Sequence, residues 1–76
     1  MKNLLQKSVG ERIKQIRLEK NISQQDLADL CGFESSNMSR LEAGRANATL
    51  STLEIVSKSL NVEVIELFKF QKGKSL

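Results

Sequence analysis

The stretch Ser23–Gly44, SQQDLADLCGFESSNMSRLEAG, constrains the fold of this chain more than any other. It reads as two short helices joined by a tight corner. Ser23 is a good N-cap, because its hydroxyl can accept from an otherwise unpaired N–H of the first turn. Leu27, Ala28 and Cys31 follow at helical spacing. Gly32 falls just past them, where a left-handed residue commonly ends a helix. Phe33 is a single apolar plug. The second helix starts near Ser35, buries Met38 and Leu41, and closes at Gly44. Ala28 faces the corner, where a larger side chain would push the helices apart.

The flanking segments are also helical in pattern. Val9, Ile13 and Ile16 form one apolar stripe, predicting a first helix from about Ser8 to Lys20 behind a flexible arm over residues 1–7. Asn21 ends that helix, and Ile22 tucks in before the Ser23 cap. Arg45–Ala48 reads as a polar loop. Thr49 or Ser51 can cap a fourth helix that turns Leu53, Val56 and Leu60 inward and ends at Asn61. Val62 is expected to be buried. Glu63 then opens a fifth short helix with Ile65, Leu67 and Phe68. Residues 69–76 form a flexible basic tail. The expectation is an all-α fold: five helices over residues 8–68, packed as one small domain of the size that 76 residues support. With no proline, tryptophan or tyrosine and only three phenylalanines, the chain is poor in the residues that favour strands and turns.

Composition argues against an enzyme. There is no histidine, the commonest general base and metal ligand. Cys31, the one cysteine, falls on the buried side of its helix with no base in sequence to activate it, so it reads as core. It cannot form an internal disulfide. The four glycines read as helix punctuation, with no phosphate-cradling loop among them. No metal or cofactor is expected, and the length leaves no room for a separate small-molecule domain. MKNLLQKSVG lacks the apolar run of a signal peptide, and no stretch reaches the roughly 20 apolar residues of a membrane span. A cytoplasmic protein is the expectation. The net charge of +3 decides little by itself, but Lys2, Lys7, Arg12, Lys14, Arg17 and Lys20 crowd the first twenty residues.

Gln24, Leu27, Ala28, Gly32, Met38, Ser39, Leu41, Glu42 and Gly44, with Ile13, Ile16 and Arg17 before them and Thr49, Leu53, Val56, Leu60, Val62, Leu67 and Phe68 after, stand in a pattern that resembles the phage-repressor/Cro-like (XRE-type) helix-turn-helix regulators. The resemblance runs from about Val9 to Phe68 and implies a lambda-repressor-like fold that binds double-stranded DNA. In such motifs the second helix lies in the major groove with its N-terminal residues at base edges. That implies base contacts from Ser35, Ser36, Asn37 and Arg40, since asparagine pairs with adenine and arginine with guanine. Ser35 can equally be the N-cap of this helix. Phosphate contacts are expected from Gln24, Ser39, Arg45 and Asn47. Family members often pair an arginine of the first helix with a glutamate ending the recognition helix, which implies an ion pair between Arg17 and Glu42; Arg17 can also reach a phosphate.

A single domain makes few base contacts, so a homodimer on a palindromic operator is expected. Ile55 lies off the inward stripe of the fourth helix and, with Val64, Leu67 and Phe68, forms the expected dimer surface; Phe70 can fold back onto it. Within the family, the free-standing size and the segment TLSTLEIVSKSLNVEVIELF are similar to restriction–modification controller proteins. RNA polymerase is a candidate partner through the acidic pair Asp26 and Asp29. The reading from another class is a protein-interaction module that kept the fold and lost specific DNA binding.

Overall fold

The computed structural model describes residues 4–70. Four α-helices, α1 (Leu4–Glu19), α2 (Gln24–Cys31), α3 (Ser35–Glu42) and α4 (Leu50–Leu60), are followed by a short 3-10 helix, Val64–Phe68. Local chemistry sets most of these boundaries. Ser23 accepts from the Asp26 N–H at 2.9 Å and opens α2. Gly32, at φ +75°, ends it, and the Phe33 N–H returns to the Ala28 carbonyl at 2.9 Å. Thr49, rather than Ser51, caps α4 by accepting from the Thr52 N–H at 3.1 Å. Asn21 and Asn61 both adopt the left-handed conformation that asparagine tolerates.

Three expectations need correction. First, α1 begins at Leu4, so residues 4–7 are helix rather than arm. Leu4, Leu5, Gln6 and Lys7 are good helix formers, nothing between them and Ser8 breaks the helix, and Lys7 packs against Gly44. Residues 1–3 lie outside the described part. Second, the fifth helix is a single five-residue 3-10 element, with the Glu66 N–H bonded to the Glu63 carbonyl three residues back. Adjacent β-branched Val64 and Ile65 disfavour a longer α-helix, and Glu63 supplies no side-chain cap. Third, Phe70 of the expected tail packs against the core, beside Phe68 at 6.3 Å between ring centroids. Residues 71–76 lie outside the described part.

The core is shared by every element: Val9, Ile13 and Ile16 of α1, Leu27 and Ala28 of α2, Met38 and Leu41 of α3, Leu53, Val56 and Leu60 of α4, and Leu67 of the 3-10 helix. Ile22, Cys31, Phe33 and Val62 pack around it, partly buried. Arg12 fastens the 3-10 helix to α1. Its Nε donates to the Glu66 carbonyl at 2.8 Å and its guanidinium lies 3.3 Å from the Glu66 carboxylate. Lys69 donates to the same carboxylate, which holds Glu66 below the usual range. Among the described residues no helix is long and apolar enough to cross a membrane.

Gly10 is not punctuation. It lies in mid-α1, and a Cβ there would meet the main chain of α3, 2.8 Å from the Glu42 carbonyl oxygen and closer still to that of Leu41. The absent side chain sets how near α1 comes to α3. Helix propensity alone favours Gly10→Ala by about 1 kcal/mol. The packing should reverse that sign, because backbone cannot give way as a flexible side chain can. A net loss of about 1–3 kcal/mol is expected in urea unfolding. A more stable variant would show that α1 and α3 can separate without cost.

Candidate nucleic-acid interface

α3 has two unlike faces. Met38, Leu41 and Glu42 are buried, whereas Ser35, Ser36, Asn37, Ser39 and Arg40 are exposed. The helix is eight residues long, too short to hold its conformation alone, so packing must hold it in place. Its N-cap is Glu34, which makes no side-chain cap bond; Ser35 is the first helical residue and not the cap. The Asn37 and Met38 N–H groups bond to the Glu34 carbonyl. The N–H groups of Ser35 and Ser36 are among the unpaired donors of a helix start. Arg40 and Arg45 are exposed and take part in none of the ion pairs among the described residues. Asn47 is exposed in the loop that follows.

Beneath this face, Glu42 ties three helices together. Arg17 of α1 grips it through two parallel bonds, Nε to Oε2 at 2.7 Å and a terminal nitrogen to Oε1 at 3.0 Å. The amide of Gln24, the first residue of α2, donates to the same Oε1 at 3.0 Å. The other terminal nitrogen of Arg17 donates to the Ile22 carbonyl at 2.8 Å. Arg17 and Glu42 are each 6% exposed. No buried side-chain polar atom among the described residues lacks a partner.

This arrangement bears on two of the expected phosphate contacts. Arg17 is buried and gives three of its five N–H donors to Glu42 and Ile22, which places it in the structural ion pair. Gln24 turns its amide inward rather than outward; what α2 offers at this end is the unpaired N–H pair of Gln24 and Gln25. On the expected dimer surface, Leu67 is fully buried and belongs to the core, because the 3-10 helix points it inward. Ile55, Val64 and Phe68 are 41, 43 and 38% exposed, and Ile65, taken as part of the fifth helix, is more exposed than any of them. Cys31 is half-buried, its thiol 3.4 Å from the Ser59 hydroxyl, and burial raises its pKa. The packing role of Gly10 and the bond from Arg12 to the 3-10 helix are not among the sequence-based expectations. An isolated glycine inside a helical apolar pattern was the available signal for the first; nothing local marks the second.

Residues 13–67 match the HTH_3 helix-turn-helix family. This chain belongs to that family. Control protein C.BamHI of Bacillus amyloliquefaciens is 37% identical over 71 residues, spanning 92% of this chain and 88% of that protein. The crystal structure of the restriction–modification controller protein C.AhdI from Aeromonas hydrophila superposes with a TM-score of 0.80 at 31% identity, covering 90% of this chain and 100% of its own. SinR, a master regulator for biofilm formation solved in complex with DNA, superposes at 0.74 with 39% identity, covering 80% of this chain and 98% of its own.

The buried pair makes a sharp prediction. Arg17→Met strands the Glu42 carboxylate in the interior and should cost about 3–5 kcal/mol in urea unfolding. The double variant Arg17→Met/Glu42→Leu removes both charges and should recover the larger part. Equal loss in the single and double variants would mean that the stranded charge is not what destabilises.

Proposed function

We infer that this protein is a sequence-specific transcription regulator that binds double-stranded DNA as a homodimer, with α3 in the major groove. The observation that carries this is the outer face of α3: small polar side chains around one exposed arginine, on a helix whose opposite face is locked by Met38, Leu41 and the Arg17–Glu42 pair. Ser35 and Ser36 permit close approach to base edges. Asn37 suits adenine and Arg40 suits guanine. Ser39, Arg45 and Asn47, with the N–H groups that open α2, would hold phosphates on either side of the groove.

Two copies would join through Ile55 of α4 and Val64, Ile65 and Phe68 of the adjoining 3-10 helix, large apolar side chains left exposed in the single chain. A two-fold operator with half-sites about one helical turn apart follows from that symmetry. The relation to C.BamHI and C.AhdI supports a controller role in a restriction–modification system, carried out in the cytoplasm without cofactor or catalysis. Asp26 and Asp29, both exposed on α2, would offer RNA polymerase an acidic surface.

Selection of bound duplexes from a randomised DNA pool at near-physiological salt tests this reading. An inverted repeat should be enriched, and Arg40→Ala should lose about 1–3 kcal/mol of discrimination at one guanine of each half-site. No enrichment, with weak binding that vanishes as salt rises, would leave an interaction module on the same fold. Ile55→Glu should stay folded by circular dichroism and sediment as a monomer. A dimer at the same concentration would place the interface elsewhere.

A further inference from the structure

The end of α3 and the start of α1 are pressed together from both sides. Gly10 of α1 lies against the Leu41 and Glu42 carbonyls. One turn earlier, the backbone of Lys7 lies against Gly44: a Cβ on Gly44 would come 2.6 Å from the Lys7 Cα and 3.2 Å from its nitrogen. Gly44 also has φ +77°, so neither the space nor the conformation admits another residue easily. Directly after it, the Arg45 N–H returns to the Arg40 carbonyl at 2.9 Å, which ties the loop to the recognition helix. Lys7 is therefore held beside the Gly44–Arg45 junction by main-chain contact, not by a flexible arm.

Lys7, Arg40 and Arg45 are all exposed, and none forms an ion pair among the described residues. The nearest acid of α3, Glu42, is already neutralised by Arg17. Glu11, one turn along α1, is the exposed acid closest to Lys7 in sequence. We propose that Lys7 is a DNA-phosphate ligand, acting with Arg45 as a pair that grips the backbone where the chain leaves the recognition helix. This rests on the DNA-binding reading above and adds to it a contact from α1, the helix otherwise occupied with the core and the buried ion pair. Lys7 positions the protein on the duplex without reading sequence. The competing role for this lysine is intramolecular: an ammonium near the C-terminal end of α3 complements the helix dipole and would act on stability alone.

The two roles separate in one experiment. Fluorescence anisotropy of the full chain on a short duplex of mixed sequence, between about 50 and 200 mM salt, gives the slope of log affinity against log salt. Each lost phosphate contact should flatten that slope by about 0.9 per bound protomer. Lys7→Gln and Arg45→Gln should each do so, Lys7→Arg should keep the parent slope, and the thermal midpoint of Lys7→Gln should not move. A parent slope retained in Lys7→Gln overturns the proposal, and a lowered midpoint with that slope assigns Lys7 to the helix dipole. If Arg45→Gln flattens the slope and Lys7→Gln does not, only the Lys7 contact fails. If the parent chain does not bind the duplex, the DNA-binding reading fails with it.

Discussion

The Glu42 carboxylate is the point on which the arrangement of α1, α2 and α3 turns. One of its oxygens faces Arg17 of α1, and the other is shared by Arg17 and Gln24 of α2. A lone buried carboxylate would be costly. Here the planar guanidinium matches it with two parallel bonds, a geometry an ammonium cannot copy. Such a pair is weak evidence for stability, since an apolar core of the same volume can do as well. What it supplies is direction. Apolar contacts at Met38 and Leu41 hold α3 down but tolerate rotation and sliding. A bidentate bond at the last helical residue does not, and α3 is too short to settle its own orientation.

Much of this was legible in the sequence, and the reason is local. Ser23, Gly32, Thr49 and Asn61 act through bonds or backbone angles within a few residues of themselves, so their side-chain chemistry fixes the boundary they mark. The apolar spacing of Ile13, Ile16, Leu53, Val56 and Leu60 likewise follows from one helix at a time. The Arg17–Glu42 pair was legible only through resemblance, because 25 residues separate the partners and nothing local joins them.

The misreadings share the opposite cause. Ser8 has the chemistry of a cap, yet α1 runs through it to Leu4, where the contact of Lys7 with Gly44 supports the extra turn. Gln24 has an amide suited to phosphate, but Glu42 lies within its reach and takes it. Leu67 stands in the short apolar run Val64–Phe68, whose pattern does not say which residue faces inward; packing decides it, with Leu67 fully buried while Val64, Ile65 and Phe68 stay exposed. Gly10 and Arg12 matter through partners on α3 and the 3-10 helix, at distances in sequence that no periodicity covers.

Charge shows how the interior shapes the exterior. A net +3 over the whole chain is too mild to distinguish one surface from another. The folded chain redistributes it. Glu42 is neutralised inside by Arg17, and Glu66 is held by Arg12 and Lys69. Glu54 faces Lys58 along α4. With those acids matched, the cations around the end of α3 have none of them as a rival to a phosphate. Among the acids that stay exposed and outside the ion pairs, Glu34 is the one at the cap of α3, where the helix begins. An acid there favours the helix dipole but would repel a nearby phosphate, so the attraction is strongest toward Arg40 and Arg45. The first turn of α3 therefore meets bases with neutral Ser35, Ser36 and Asn37, where hydrogen-bond pattern rather than charge decides the fit. The ion pair that orients the helix thus also removes the acid that would otherwise compete for its arginines.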